Sequence, residues 1–213
     1  MIVADVMTTN VVSIPSNTSL ADARRIMDAH RIRRLPVIDR GKLMGIVTRD
    51  ALDKAGPSKL TTFSMHELSY LLSKLTVEEV MRREVVTVSP SMTVEEAVAL
   101  AQSKQVGALV VIEEDHVAGI CTTNDFFYRI LNPILGIGLP GSRIVVRNCH
   151  KGQDIEKVVS TINKLNVGIT NLFLIQFPEA KKHDLVLHLD TPDSSKIIAE
   201  IKKMGCLVEE RMR

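Results

Sequence analysis

"GIVTRDALD" at residues 45–53 returns, altered, as "GICTTNDFF" at residues 119–127. The two phrases share glycine, isoleucine and threonine, but only the later one has an aspartate three residues beyond the threonine. Working outward at the same offset of 74 residues, the chain aligns with itself without a gap. "VADVMTTNVVSIPSNTSLADARRIM" from Val3 falls on "VEEVMRREVVTVSPSMTVEEAVALA" from Val77, and Met7, Leu35, Val37 and Gly45 are among the residues that meet identical partners. The period is too long for the common solenoid arrays, and two copies cannot make one. Tandem duplication predicts a pseudo-symmetric pair with equivalent clefts between the copies.

Each copy reads the same way. A short β-branched strand ("VVSI", "VVTV") leads through a proline-containing turn to a helix. Ser19 with Asp22 opens the first of these helices and Thr93 with Glu96 the second, both in capping-box spacing. Two apolar strands follow around an acidic turn, "LPVIDRGKLMGIV" and "LVVIEEDHVAGIC", and a second helix closes the unit. The order β-α-β-β-α, twice, predicts an α/β class of fold. Between the copies, residues 56–75 carry Leu68, Leu71, Leu72 and Leu75 at helical spacing, which predicts an amphipathic connector helix.

From Ser142 the pattern resets. "RIVVRN", "VGITNLFLIQF", "HDLVLHLD" and "CLVEE" read as strands. The spacing predicts helices over 154–165 and from Thr191-Pro192 to Gly205, the latter burying Ile197, Ile198, Ile201 and Met204. The order β-α-β-β-α-β predicts a ferredoxin-like sheet, making the whole chain α/β in the first part and α+β in the tail. The expected domains are 1–55, a connector 56–75, 76–132, a linker 133–142, and 143–213. "GIGLPG" at 136–141 satisfies G-x-G-x-x-G but precedes a strand instead of following one, so it is a linker and not a dinucleotide fingerprint.

Composition narrows the function. Apolar residues make up 45% of the chain and the net charge is +2, with no basic block asking for nucleic acid. Three scattered cysteines fit free thiols in a reducing cytosol. No apolar run approaches the ~20 residues that span a bilayer, and no signal segment opens the chain, so the expectation is a soluble cytoplasmic protein. The six histidines show no metal-ligand spacing, and His183 and His188, flanking an alternating strand, are expected to face solvent. Neither a nucleophile elbow nor a Walker loop is present, so no enzyme is expected and no metal.

Thr122 and Asp125 follow a strand at the start of a helix. Thr-x-x-Asp at that place is close to a capping box and needs no further purpose. The same geometry also offers free N–H groups and a hydroxyl to a phosphate, and a carboxylate to the two hydroxyls of a ribose. The residues alone leave both readings open.

The duplicated unit resembles the cystathionine-β-synthase (CBS) domain, and the tandem pair over roughly residues 1–131 resembles the regulatory Bateman module. The leading D-V-M, the L-P-V-I-D strand and the closing glycine-to-threonine turn, seen twice in register, carry the resemblance. It implies an adenine nucleotide (AMP, ADP, ATP or S-adenosylmethionine) between the copies. Thr122 would contact phosphate, Asp125 the ribose, and Val86, Thr87, Gly107, Ala108 and Leu109 would lie near the base. In the first copy Thr48 is present, but Ala51 holds the aspartate's place. Asp50 is one residue early, about 100° away on a helix. One competent cleft and one weakened cleft are therefore expected, with Arg33 and Arg34 as phosphate donors to either. The tail is similar to ACT domains, which implies an amino-acid site at His150, Gly152 and Asn166 or a dimerisation role. A CBS pair with such a tail resembles the acetoin-utilisation family of regulatory proteins. The implied protein is a homodimeric sensor acting on an unknown regulated protein; the alternative is a non-catalytic scaffold with empty clefts.

Overall fold

The computed structural model describes residues 1–55, 74–149, 151–176 and 178–210. The predicted connector helix lies almost wholly outside the described residues, as does His150. The chain divides into two compact units, Met1–Phe127 and Tyr128–Arg213.

The first unit contains the duplication. Its first copy comprises α1 (Val3–Val6), α2 (Leu20–His30), β1 (Arg34–Asp39), β2 (Lys42–Thr48) and α3 (Arg49–Ala55). Its second comprises β3 (Thr87–Val88), α4 (Val94–Ser103), β4 (Ala108–Glu113), β5 (His116–Thr122) and α5 (Thr123–Phe126). The β1–β2 and β4–β5 hairpins share a register shift at equivalent places, between Val37 and Ile38 and between Val111 and Ile112. Both helices are capped as their sequences predict. The Asp22 N–H donates to Ser19 Oγ at 3.1 Å; Thr93 and Glu96 form both halves of the box, at 3.3 and 3.2 Å. The predicted opening strands shrink. "VVTV" retains only Thr87–Val88 beside β4, and "VVSI" only a parallel bridge from Ile14 to Val37, because Val11 and Val12 line a cavity instead of a strand.

The two copies are interlocked by exchange. Thr8 and Ile120 trade both backbone hydrogen bonds, at 2.9 and 3.0 Å, and their counterparts Arg82 and Ile46 do the same at 2.9 Å each. The opening segment of each copy thus pairs with the glycine-bearing strand of the other. Gly45 and Gly119 permit this approach: a Cβ on Gly45 would stand 2.8 Å from the Arg82 carbonyl oxygen, and one on Gly119 2.6 Å from Met7 Sδ. Leu20, Met27, Leu35 and Leu109 are among the fully buried side chains beneath these contacts.

The second unit opens with a π-helical turn and a short helix, α6 (Asn132–Ile134). It continues with β6 (Ser142–Val146), α7 (Gly152–Lys164), β7 (Ile169–Ile175), β8 (Asp184–Leu189), α8 (Ser195–Lys203) and β9 (Val208–Glu210). The sheet order β7-β8-β6-β9, antiparallel throughout, is ferredoxin-like. Val158, Ile162, Ile197 and Ile201 pack the two long helices onto Ile144, Leu185 and Leu187. Three expectations are corrected. Helix α8 starts at Ser195, because the Thr191 hydroxyl accepts the Asp193 N–H in a local turn three residues earlier. Met204 is 39% exposed, beyond the end of the buried stripe. His188 is only 3% exposed: it lies against Gly136, where a Cβ would overlap its ring. The 136–141 segment thus helps cover the sheet face that alternation alone assigned to water. Near the same sheet Arg147 binds Asp184 at 2.6 Å and Glu209 at 2.8 Å. Burial alone would raise the Asp184 pKa, but the Asn148 N–H and the Arg147 guanidinium outweigh it and hold the carboxyl below its usual range.

Candidate functional site

Exchange of opening segments has a direct result: each cleft takes the closing turn of one copy and the opening segment of the other. One cleft, of about 470 Å³, is lined by Thr8, Asn10, Val11, Val12, Arg31–Arg34 and Pro36 of the first copy. Ile120 and Thr122–Asp125 of the second copy complete it. The other, of about 330 Å³, sets Ile46, Thr48 and Ala51 of the first copy against Arg82, Glu84, Val85, Val86 and Gln105–Ala108 of the second. At the offset of 74 the linings correspond almost residue for residue. Both volumes fall in the range of small-molecule sites.

In the first cleft the carboxylate of Asp125 is fully engaged. The Thr122 N–H and hydroxyl donate to Oδ2 at 2.7 and 2.5 Å, and the Thr8 hydroxyl donates to Oδ1 at 2.9 Å. Asp125 therefore supplies its half of the cap and also ties the two copies together. The hydroxyl donors can rotate away, so a ribose diol could donate to the same two oxygens in their place. In the second cleft the arrangement is simpler. Thr48 Oγ1 accepts the Ala51 N–H at 3.2 Å as an ordinary cap, with an alanine methyl where Asp125 has its carboxylate. Asp50 points elsewhere, pairing with Arg33 at 2.9 Å on the exposed surface.

The residues expected around one nucleotide are divided by this geometry. Thr122 and Asp125 line the same cavity. Val86, Gly107 and Ala108 do not join them; they line the Ala51 cleft with Thr48. Thr87 is exposed in β3, and Leu109 is 0% exposed in the core. The reason is the crossing: the segment that faces Asp125 belongs to the other copy. Asn10, Val11, Val12, Arg31 and Pro36 take those places, and none of them was expected from the sequence. The signal was available, because Asn10–Val12 lie at the repeat offset from Glu84–Val86. Arg33 lines the Asp125 cleft and Arg34 lines both. In the tail, Gly152 begins α7 and Asn166 lies beyond its far end, so a helix of 13 residues, ~20 Å, separates them. Gly152 and Asn166 thus lie at opposite ends of α7.

Among the described residues no group of histidine, cysteine and carboxylate side chains could hold a metal, and no helix is long and apolar enough to cross a membrane.

A model of the CBS domain matches residues 3–57 and 77–132. The chain belongs to the CBS domain family. The CBS domain-containing protein YhcV of Bacillus subtilis is 29% identical over 124 residues, which cover 58% of this chain and 81% of that protein. An inosine-5'-monophosphate dehydrogenase of Korarchaeum cryptofilum is 31% identical over 125 residues, but the match covers only 23% of its length. Among solved structures, a putative acetoin utilization protein (AcuB) from Vibrio cholerae superposes with a TM-score of 0.53 at 31% identity, covering 62% of this chain and 91% of that one. The CBS pair of MJ0100, in complex with 5'-methylthioadenosine and S-adenosyl-L-methionine, gives 0.51 at 27% identity, covering 62% and 96%. CBSX2 in complex with AMP gives 0.50 at 26%, with the same coverage.

Proposed function

We propose that this CBS pair is a regulatory sensor that binds an adenine nucleotide in the Asp125 cleft and catalyses no reaction of its own. One observation carries the reading: Thr122 and Asp125 line a single cavity together with Arg31, Arg33 and Arg34. The carboxylate suits a ribose and the threonine turn a phosphate. The arginines favour AMP, ADP or ATP over S-adenosylmethionine, whose sulfonium adds positive charge to an already cationic wall. Related CBS pairs hold AMP, or 5'-methylthioadenosine and S-adenosyl-L-methionine, which supports the adenine class. Since each copy supplies half of the cleft, ligand would favour one packing of the copies over another, and an unidentified partner would read the difference. The likeness to AcuB supports a setting in acetoin or carbon metabolism, and the tail is proposed to serve self-association as a homodimer. Ala51 favours a second reading, a scaffold with empty clefts.

Thermal shift and calorimetry with AMP, ADP, ATP and S-adenosylmethionine test the proposal. At a hundred times its dissociation constant a nucleotide adds ~2.7 kcal/mol of stability. For a unit of this size that is about 5–10 °C. Asp125→Ala should abolish the ligand-induced shift while lowering the ligand-free melting temperature only modestly. Failure of every adenine compound, or an undiminished shift in Asp125→Ala, would favour the scaffold, and light scattering with and without AMP would then show whether assembly ignores nucleotide.

A further inference from the structure

Arg34 opens β1, is half-buried, and lines both cavities. Its neighbour Arg33 is held by Asp50, whereas Arg34, paired with Thr48 through its backbone, makes no ion pair or hydrogen bond through its guanidinium with any described residue. Its guanidinium lies over Gly107, where an added Cβ would overlap Nη2. The repeat makes the asymmetry plain: the counterpart of Arg34 is Ala108, and the counterpart of Gly107 is Arg33. The second copy supplies room where the first supplies charge, so the two clefts share one guanidinium that has no counterpart in the second copy.

We propose that Arg34 is a common anion contact that couples the two clefts, so that a phosphate-bearing ligand in one weakens anion binding in the other. This rests on the nucleotide reading of the Asp125 cleft for one of the two ligands. A phosphate there would draw the planar fork of Arg34 into a bidentate, charge-assisted contact. The Ala51 cleft would keep Arg82 and Thr48 but would face Glu84 with its second cation withdrawn. Two anions converging on one unit charge also repel each other. Linkage makes the effect reciprocal, each ligand weakening the other by the same factor.

The test is calorimetric titration of the full chain with inorganic pyrophosphate as the probe of the Ala51 cleft, alone, with saturating AMP, and with saturating adenosine. Adenosine occupies the nucleoside site without a phosphate to engage Arg34. Pyrophosphate should bind about fivefold or more weakly with AMP present, reaching a plateau as AMP rises, and should be unaffected by adenosine. In Arg34→Ala pyrophosphate should bind weakly with or without AMP; Arg34→Lys should restore part of the affinity and part of the coupling. AMP binding with no effect on pyrophosphate, equal effects of AMP and adenosine, coupling that survives in Arg34→Ala, or a loss that grows without plateau as simple competition, each overturns this inference and leaves the nucleotide reading standing. If AMP does not bind at all, the nucleotide reading falls and this inference with it.

Discussion

The Asp125 cleft and the Ala51 cleft are made from the same pieces, joined by the same pair of backbone bonds, and yet present different chemistry. Where one has Asp125, Asn10, Arg31 and Arg33, the other has Ala51, Glu84, Gln105 and Gly107. The backbone exchange at Thr8–Ile120 and Arg82–Ile46 keeps the geometry common to both. Side chains that do not take part in the exchange are free to differ, and they concentrate cationic charge and the Asp125 carboxylate on one side. The shape of a cleft in this fold thus belongs to the pair, while its ligand preference belongs to a handful of positions.

The largest expected effect breaks the shared geometry. Gly119→Ala places a methyl against Met7 Sδ and the Thr8 carbonyl oxygen, so the Met7 side chain must move and the first copy's opening segment must give by a few tenths of an ångström. Overpacking of this kind costs about 1–3 kcal/mol. Thr8 also donates its hydroxyl to Asp125, so nucleotide affinity should fall with stability. Gly45→Ala meets Met81 and, more tightly than its counterpart, the Arg82 backbone carbonyl, and should cost at least as much in urea unfolding. It should leave affinity in the Asp125 cleft nearly intact. Equal damage to affinity from both substitutions would mean that the clefts cannot be perturbed separately.

These glycines also mark how far the sequence could be read. The duplication, both helix caps and the ferredoxin-like order of the tail were legible because each depends on residues near one another in the chain. Gly45 and Gly119 were visible as matching letters, but their purpose was not, since the atoms they admit lie in the other copy. For the same reason Thr122 and Asp125, three residues apart, read as neighbours and do line one cavity, whereas Val86 and Gly107, grouped with them by the resemblance, line the other. His188 failed differently: strand alternation placed it in water, and only the fold shows Gly136 set against it. What was missed was long-range contact, which periodicity does not encode.

A second prediction sharpens the contrast between the clefts by reducing it. Ala51→Asp returns a carboxylate to the turn after Thr48, at the position of Asp125 in the other copy. Hydrogen bonds to a charged group are worth about 1.5–3 kcal/mol, so AMP should bind the altered cleft roughly tenfold or more tightly. Calorimetry should show the number of AMP molecules bound per chain rising from one toward two. The gain should stay short of full equivalence, because Arg82 stands where Thr8 stands in the other cleft and would pair with the new carboxylate. No second binding event would show that the missing carboxylate is not what separates the clefts.

The smallest expected effect concerns Asp50, the aspartate one residue out of place. It holds Arg33 at 2.9 Å, with both side chains mostly exposed, and Arg33 lines the Asp125 cleft. Such surface pairs contribute about 0.2–1 kcal/mol, so Asp50→Asn should barely change the melting temperature. Its consequence should appear in binding, where Arg33 becomes free to meet a phosphate. Affinity should rise about twofold to fivefold, more for ATP than for AMP, and not at all for adenosine. Exposed charges are screened, so the gain should shrink as ionic strength rises from 0.01 M toward 1 M, where the Debye length falls to about 3 Å. A gain shared equally by adenosine would mean that Asp50 acts on the position of α3 and not through the charge of Arg33.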